Sequence, residues 1–313
     1  MPLNELVFSV SYIGDLVTAT SVLPLLDVAR TRISVVAAPA AAPLLAGDAR
    51  LARLRVVGSS NALGWRSQIL WHLLGARRPT RVLNLEVYPP RWRFLTRACQ
   101  LLRVPARHMD LPALLFDNRL SASGEPTKRP HRSDYYAVAT GAEPPAPPPG
   151  LSIHAPLANE CRRRLGTHDD AGLRTLLIHP SSSDPARRAP LDLLAALASG
   201  LGCRPIVIGS AAESSLAQHL MQRLPAHTQA VDACGRLDLR ELAALTSQAD
   251  LFVGGDSGPL KIAEAVGART LSFWQRGQPS AAFAGPRGPG HAMLPATAST
   301  EEALAAARRL LAR

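Results

Sequence analysis

The chain has 313 residues, 47% of them hydrophobic and only 4% aromatic, with 35 Lys and Arg against 24 Asp and Glu for a net charge of +11. That length suits two domains of about 150 residues with cores rich in Leu, Ala and Val. It holds no stretch of about 18 uninterrupted apolar residues, which excludes a membrane-spanning helix. Its N-terminus carries Glu5 and Asp15 and no basic stretch before its apolar segment, which argues against a signal peptide. Cys99, Cys161, Cys203 and Cys234 lie far apart, with no Cys-x-x-Cys or Cys/His spacing. Neither a zinc site nor a disulfide frame is expected, and a reduced cytoplasm is the simplest setting.

Chain order gives an alternation of strands and helices. Glu5–Val10 is expected as a strand and Gly14–Ala29 as a helix. A strand at Arg32–Ala37, a short helix at Ala41–Ala46 and a strand at Leu54–Val57 follow. Ala62–Leu74 is helical, Arg81–Val87 a strand and Arg91–Leu102 a helix. This is a parallel α/β pattern. Leu111–Arg132 reads as a looser region, and His131–Thr140 as a helix. Then comes Ala142-Glu-Pro-Pro-Ala-Pro-Pro-Pro-Gly150, a run that cannot join a helix or sheet interior and reads as a stiff linker. It sets the expected division into a domain over 1–145, a second over 151–295 and a C-terminal helix over 296–313.

The second half repeats the alternation. Strands are expected at Thr175–His179, Pro205–Ile208, Leu251–Val253 and Thr270–Phe273. Helices are expected at Leu191–Ser199, Glu213–Leu224, Leu239–Ser247, Pro259–Val266 and Thr300–Leu311. Two Rossmann-like domains result.

The most informative segment is Leu251-Phe-Val-Gly-Gly-Asp-Ser-Gly-Pro-Leu-Lys-Ile-Ala-Glu-Ala-Val-Gly267. An apolar strand runs into a Gly254-Gly255 turn. Asp256 or Ser257 caps a helix that tolerates Pro259 in its first turn and ends at Gly267. A helix N-terminus at the carboxyl edge of a parallel strand offers free N–H groups to a phosphate. An ordinary capped turn without ligand has the same composition. Gly-Asp-Ser-Gly-Pro also echoes the nucleophile segment of chymotrypsin-like proteases, but the helix that follows excludes that all-β setting.

Two more turns carry polar chemistry. Gly14-Asp15 follows the first strand. A carboxylate there can take the proton of an attacking hydroxyl, or simply cap the helix. After the strand ending at His179, Ser181–Ser183 with Arg187-Arg188 can cradle and neutralise a diphosphate, or form a solvated loop.

These segments together resemble glycosyltransferase family 9, the lipopolysaccharide heptosyltransferases. The family's C-terminal signature, Asp-Thr/Ser-Gly-x-x-His-hydrophobic-Ala-x-Ala-x-Gly, matches Asp256, Ser257, Gly258, Ile262, Ala263, Ala265 and Gly267 in register. Lys261 stands where the family has His. Ser11-Tyr-Ile-Gly-Asp-Leu-Val-Thr18 resembles its N-terminal motif, whose Asp is the proposed base and corresponds to Asp15. The family's Lys-Arg-Trp-Pro run is only partly matched by Arg187-Arg188-Ala-Pro190. Asn84-Leu-Glu86 falls where the family has Asp-Leu-Gln, and His131 with Asp134 and Tyr135 matches a segment that we read as mainly structural.

The resemblance implies a GT-B fold, with two Rossmann-like domains facing across a cleft. It implies an inverting transfer of heptose from ADP-heptose to an inner-core lipopolysaccharide sugar. Asp15 would be the base. Ser181, Ser182, Arg187, Arg188, Asp256, Ser257, Gly258 and Lys261 would hold the donor phosphates. Gly14, Glu86, Arg91 and Arg93 would meet the acceptor. No Asp-x-Asp motif is present, so metal-independent catalysis without a cofactor is expected. Three other readings stay open. One is a family 9-like transferase with another nucleotide sugar and a capsule or natural-product acceptor. The others are a sugar-nucleotide epimerase and a non-catalytic nucleotide-binding protein.

The charge is uneven. Residues 1–145 hold 18 basic against 10 acidic residues, and residues 146–313 hold 17 against 14. Such an excess attracts an anionic acceptor or the inner membrane surface, giving an enzyme that is cytoplasmic and peripheral. A compositional bias toward Arg is the alternative, since only Lys128 and Lys261 are lysine. Nucleic acid is not an expected partner, because aromatic and basic residues do not interleave.

Overall fold

The computed structural model describes residues 3–9, 12–27, 30–58, 62–74, 79–122, 130–167, 172–275 and 281–312. The chain divides into two compact units, one of Met1–Arg119 and Lys128–Ser152, the other of Leu120–Thr127 and Ile153–Arg313, so that the last turn of the helix at Leu111–Ala122 counts with the second.

The first unit is built from β1 (Leu3–Ser9), α1 (Ile13–Ala19), β2 (Thr31–Ala37), β3 (Arg53–Val56), α2 (Ala62–Leu74), β4 (Arg81–Asn84), α3 (Pro89–Leu101), β5 (Ala106–His108), α4 (Leu111–Ala122) and α5 (Arg132–Thr140). Its five strands are all parallel, in the order β3-β2-β1-β4-β5. Val35, Val36, Val82 and Leu83 are buried, as a sheet covered on both faces requires. Trp65, Ile69 and Leu73 of α2 and Leu95, Ala98 and Cys99 of α3 pack over Val36 and Val82. Burying such a side chain contributes about 1.5–3 kcal/mol.

The second unit contains α6 (Ala155–Leu165), β6 (Thr175–His179), α7 (Leu191–Gly200), β7 (Arg204–Val207), α8 (Ser214–Met221), β8 (Val231–Asp232), α9 (Leu239–Ser247), β9 (Leu251–Gly255), α10 (Gly258–Ala265), β10 (Thr270–Trp274), α11 (Ala281–Ala284), β11 (His291–Pro295) and α12 (Thr300–Leu311). Six parallel strands run in the order β11-β10-β9-β6-β7-β8. β6, β9 and β10 are buried along their whole length. Ser299 caps α12 by accepting from the Glu302 N–H. The Ala303, Ala306, Ala307 and Leu310 stripe of α12 joins Leu193, Leu194 and Leu197 of α7 in one core.

Three expectations are corrected. The helix expected at Gly14–Ala29 stops at Ala19 and continues as a tight 3-10 turn over Thr20–Leu25, because Pro24 cannot extend an α-helix. Residues 28 and 29, and Val10 of the expected first strand, lie outside the described residues. The region taken as loose from Leu111 is helical to Ala122, started by Asp110, whose carboxylate accepts from the Ala113 N–H. The Pro-rich run is not a free linker. The Ala146 N–H donates to Asp134, the Gly150 N–H donates to Thr20, and the Gly150 carbonyl accepts from Arg50. These bonds tie the run to the first unit. The strands β5, β8 and β11 and the helix α6 carry too short or too polar a pattern to be read from sequence.

Candidate functional site

In an open parallel sheet, ligands bind beyond the carboxyl ends of the strands where the strand order reverses. In the first unit the order reverses between β1 and β4, and Asp15 follows β1 while Glu86 follows β4. In the second it reverses between β6 and β9, and Ser181 follows β6 while Ser257 follows β9.

At the first reversal, Asp15 sits in the first turn of α1. Its Oδ2 accepts from the Tyr12 N–H at 3.4 Å, so it does cap the helix. Its Oδ1 also lies 2.8 Å from Arg132 Nη1 at the start of α5. One carboxylate thus serves both the helix start and an ion pair. The Gly14 carbonyl accepts from the Thr18 hydroxyl at 2.8 Å. Glu86 is buried, and its Oε1 accepts from the Tyr88 N–H at 3.1 Å.

Tyr136 lies one turn beyond Arg132 on α5, fully buried, and its hydroxyl has no partner among the described residues. Burial, with the Asp15 and Glu86 carboxylates close by, pushes its phenol far up. His131 caps α5, and Asp134 accepts from both the His131 and Ala146 N–H groups. Those two therefore hold the backbone. Arg91 stacks over Tyr88 and Trp65, at 5.6 and 5.9 Å from the ring centroids. Arg93 is exposed on α3. Neither arginine joins the Asp15 cluster in the bonds described.

At the second reversal, the loop after β6 meets the turn after β9. Gly255 permits this approach, since a Cβ there would collide with the Arg187 carbonyl. The Ser182 hydroxyl donates to the Asp256 carbonyl at 3.0 Å. Arg187 Nη1 lies 3.4 Å from Asp256 Oδ2. Ser257 caps α10 by accepting from the Leu260 N–H, and its hydroxyl is 3.2 Å from His179 Nδ1. Gly258 is the first residue of α10. Ser182, Arg187, Asp256, Ser257 and Gly258 therefore form one constellation around a helix N-terminus.

His179 Nε2 faces Glu213 Oε1 at 3.7 Å. His179, with Ser181 and Ser210 alongside, holds the Glu213 carboxyl well below the usual carboxylate range. The Arg188 Nε is buried without a partner among the described residues, and the Arg188 carbonyl accepts from Gln275. Lys261 points elsewhere. Its ammonium is buried, 3.2 Å from Glu264 Oε2 and bonded to the Ala284 carbonyl. Position 261 lies within the run Leu260–Ala265 that α10 buries, so its side chain follows the core.

Sequence reasoning missed Arg132, Tyr136, His179 and Glu213. Arg132 stood in a segment read as structural. His179 could have been noticed as a polar residue ending a fully apolar strand.

The pattern of residues 126–289 matches the model of glycosyltransferase family 9 (heptosyltransferase). The chain belongs to glycosyltransferase family 9. It is therefore a glycosyltransferase, and its two Rossmann-like units are the domain content of the GT-B class. No curated protein matches its sequence. Among solved structures it is similar to a family 9 glycosyltransferase from Veillonella parvula, with a TM-score of 0.81 at 16% identity over 100% of this chain and 98% of that one. It is also similar to the E. coli ADP-heptose LPS heptosyltransferase II, with a TM-score of 0.78 at 18% identity over 99% of both chains. The E. coli heptosyltransferase WaaC with ADP-2-deoxy-2-fluoro heptose gives 0.61 at 17% identity, with 93% of each chain covered. At these identities the likeness is one of fold.

Proposed function

We propose that this family 9 enzyme transfers heptose from ADP-heptose to a sugar of the lipopolysaccharide inner core, with inversion. The observation that carries the reading is the pair of strand-order reversals. One holds a buried carboxylate fit to take a proton, and the other a capped helix N-terminus flanked by arginines fit to hold a diphosphate. The family resemblance of both motifs, the name of the similar ADP-heptose LPS heptosyltransferase II and the ADP-2-deoxy-2-fluoro heptose held by WaaC support the choice of donor.

In this reading the acceptor hydroxyl attacks the anomeric carbon and its proton passes to Asp15. The bond from that carbon to the diphosphate oxygen breaks, and ADP leaves with the electron pair. Arg132 holds the Asp15 carboxylate in place. Gly14 and Glu86 border the acceptor, while Arg91, stacked on Tyr88 and Trp65, and the exposed Arg93 stand outside that cluster. The leaving diphosphate is met by the N–H groups at Ser257 and Gly258 and the charges of Arg187 and Arg188, while the Ser182 hydroxyl holds the Asp256 carbonyl and Ser181 bonds Glu213. Asp256 holds Arg187 beside that terminus. Fixed donors aimed at a developing charge are the main resource of such a site. These groups supply the positive field themselves, which supports a reaction needing neither metal nor cofactor. Lys261 braces the unit from within rather than touching phosphate. The basic first half suits an anionic glycolipid acceptor and work at the inner membrane surface, and four cysteines without a disulfide suit the cytoplasm.

A second reading keeps the family chemistry with another nucleotide sugar and a capsule or natural-product acceptor. The internal pairing of Lys261, where the family has His, favours it. Thermal shift against ADP, UDP and GDP separates the two. A ligand at about 100 times its Kd adds about 2.7 kcal/mol to the native state. A rise with ADP alone supports the heptose reading. A rise with UDP or GDP but not ADP overturns it in favour of the second.

A further inference from the structure

Residues 51–100 contain nine arginines and one acidic residue, Glu86, which is buried. The net excess of this segment, +8, equals that of the whole 1–145 half, so the charge is localised. Its described residues fold as β3, α2, β4 and α3, with Arg77 and Arg78 outside them. The two helices lie side by side over one face of the sheet, joined by an edge-to-face contact of Trp65 with Phe94 at 5.3 Å.

Their outward faces are unusual for a water-exposed surface. On α2, Leu63 is 80% exposed, Trp71 68% and Leu74 56%. At 100° per residue, positions 63, 67, 70, 71 and 74 fall on one arc, which holds no acid. On α3, Arg93, Arg97 and the 83% exposed Leu101 repeat at helical spacing on its solvent side. Arg66 lies over the Trp65 and Phe94 rings, at 5.4 and 5.5 Å. Its cation is thereby held at the border between the two helices. A 13-residue helix spans about 20 Å, between three and four turns, and the stripe from Leu63 to Leu74 runs along most of it.

An apolar stripe on a helix pair whose formal charges over 62–74 and 89–101 are all Arg fits an anionic lipid bilayer. Leucines and a tryptophan enter the headgroup boundary while guanidinium groups stay with phosphates. Each Arg near such a surface contributes roughly fivefold in partition. A second copy of this chain would bring Arg against Arg. We propose that the outward face of α2 and α3 docks on an anionic membrane surface, with Leu63, Trp71 and Leu74 inserted and Arg66, Arg93 and Arg97 on the headgroups. The idea deepens the acceptor side of the proposed function and draws its biological purpose from it. Vesicle binding is read without turnover, so the two fail separately.

The test is flotation of the full chain with vesicles of phosphatidylglycerol and phosphatidylcholine, and with phosphatidylcholine alone, near 0.1 M salt. Trp71 also reports by fluorescence, since of the other three tryptophans Trp65 and Trp274 are buried and Trp92 is half-buried with its indole N–H on the Met109 carbonyl. Expected are binding to the anionic vesicles at least roughly tenfold tighter than to the neutral ones and a blue shift of emission. The variant with Leu63→Ser, Trp71→Ser and Leu74→Ser should lose roughly tenfold or more with an unchanged Tm. The variant with Arg93→Ser and Arg97→Ser, which leaves the apolar stripe intact, should weaken binding and flatten its salt dependence. No binding to anionic vesicles, equal binding to neutral ones, or unaltered binding by both variants would overturn the proposal. So would a dimer in sedimentation velocity that the triple variant converts to monomer.

Discussion

Arg132 Nη1 lies 2.8 Å from Asp15 Oδ1, across 117 positions of sequence. The start of α5 thus fixes the carboxylate that the first strand delivers. Asp15 also caps α1, so a loss of activity on changing it mixes two effects. Arg132 separates them, because it touches the carboxylate from outside α1.

Arg132→Ala should lower kcat by about 10–10² while ADP affinity stays the same, since a mispositioned base costs rate rather than donor binding. Arg132→Lys should recover part of the rate by restoring the charge without the planar fork. Steady-state kinetics with donor and acceptor varied separately checks this. A fall in ADP affinity, or Lys behaving as Ala behaves, speaks for a structural role.

Lys261 and Glu264 form a buried ion pair, with side chains 5% and 4% exposed. Lys261→Met leaves Glu264 without its cation, and the expected loss is about 3 kcal/mol. Urea unfolding measures it. ADP titrated into the folded variant should bind as it does to the wild type. A large loss of ADP affinity with unchanged stability would return Lys261 to the phosphates.

Much of the fold was legible because its strands are apolar runs and its helices carry caps. Leu239–Ser247 and Thr300–Leu311 are bounded by Asp238 and Ser299, and the structure gives both helices those limits. Gly254-Gly255 reads as a turn, but both residues end strand β9, and they are glycine because a Cβ there would collide with the His179 and Arg187 carbonyls. The Asp15–Arg132 pair was not legible, because pairing across the fold leaves no periodic trace. The Pro-rich run misled for a related reason. Its prolines rule out helix and sheet, yet Gly150 and Ala146 still offer N–H groups to Thr20 and Asp134.

Glu213 gives a pH prediction. Its carboxyl is held below the usual range by His179, Ser181 and Ser210. A carboxylate depressed in the folded state adds stability above its unfolded pKa of about 4.3, and loses it as pH falls through the folded value. The wild type should therefore lose stability below about pH 4.3 more steeply than Glu213→Gln, which should be the less stable of the two at pH 7. Melting temperatures at both ends of that range check this. Parallel curves for the two proteins would remove Glu213 from the acid response.

Gly255→Ala should force the turn after β9 and the Arg187 loop apart. The expected cost is about 1–3 kcal/mol. ADP affinity should fall with it, because the groups proposed for the diphosphate come from both sides of that approach. Calorimetric titration of ADP at a temperature where the variant is folded decides the point. A destabilised variant with unchanged affinity would place the diphosphate away from this turn.

The most direct test of the account is turnover of ADP-heptose by Asp15→Asn. Asn keeps a carbonyl oxygen to accept from Tyr12 but cannot take a proton. The account predicts at least roughly 10²-fold lower kcat with ADP affinity near wild type, measured where the variant is folded, since Asn also gives up the Arg132 ion pair. Near-normal turnover in that variant would contradict it.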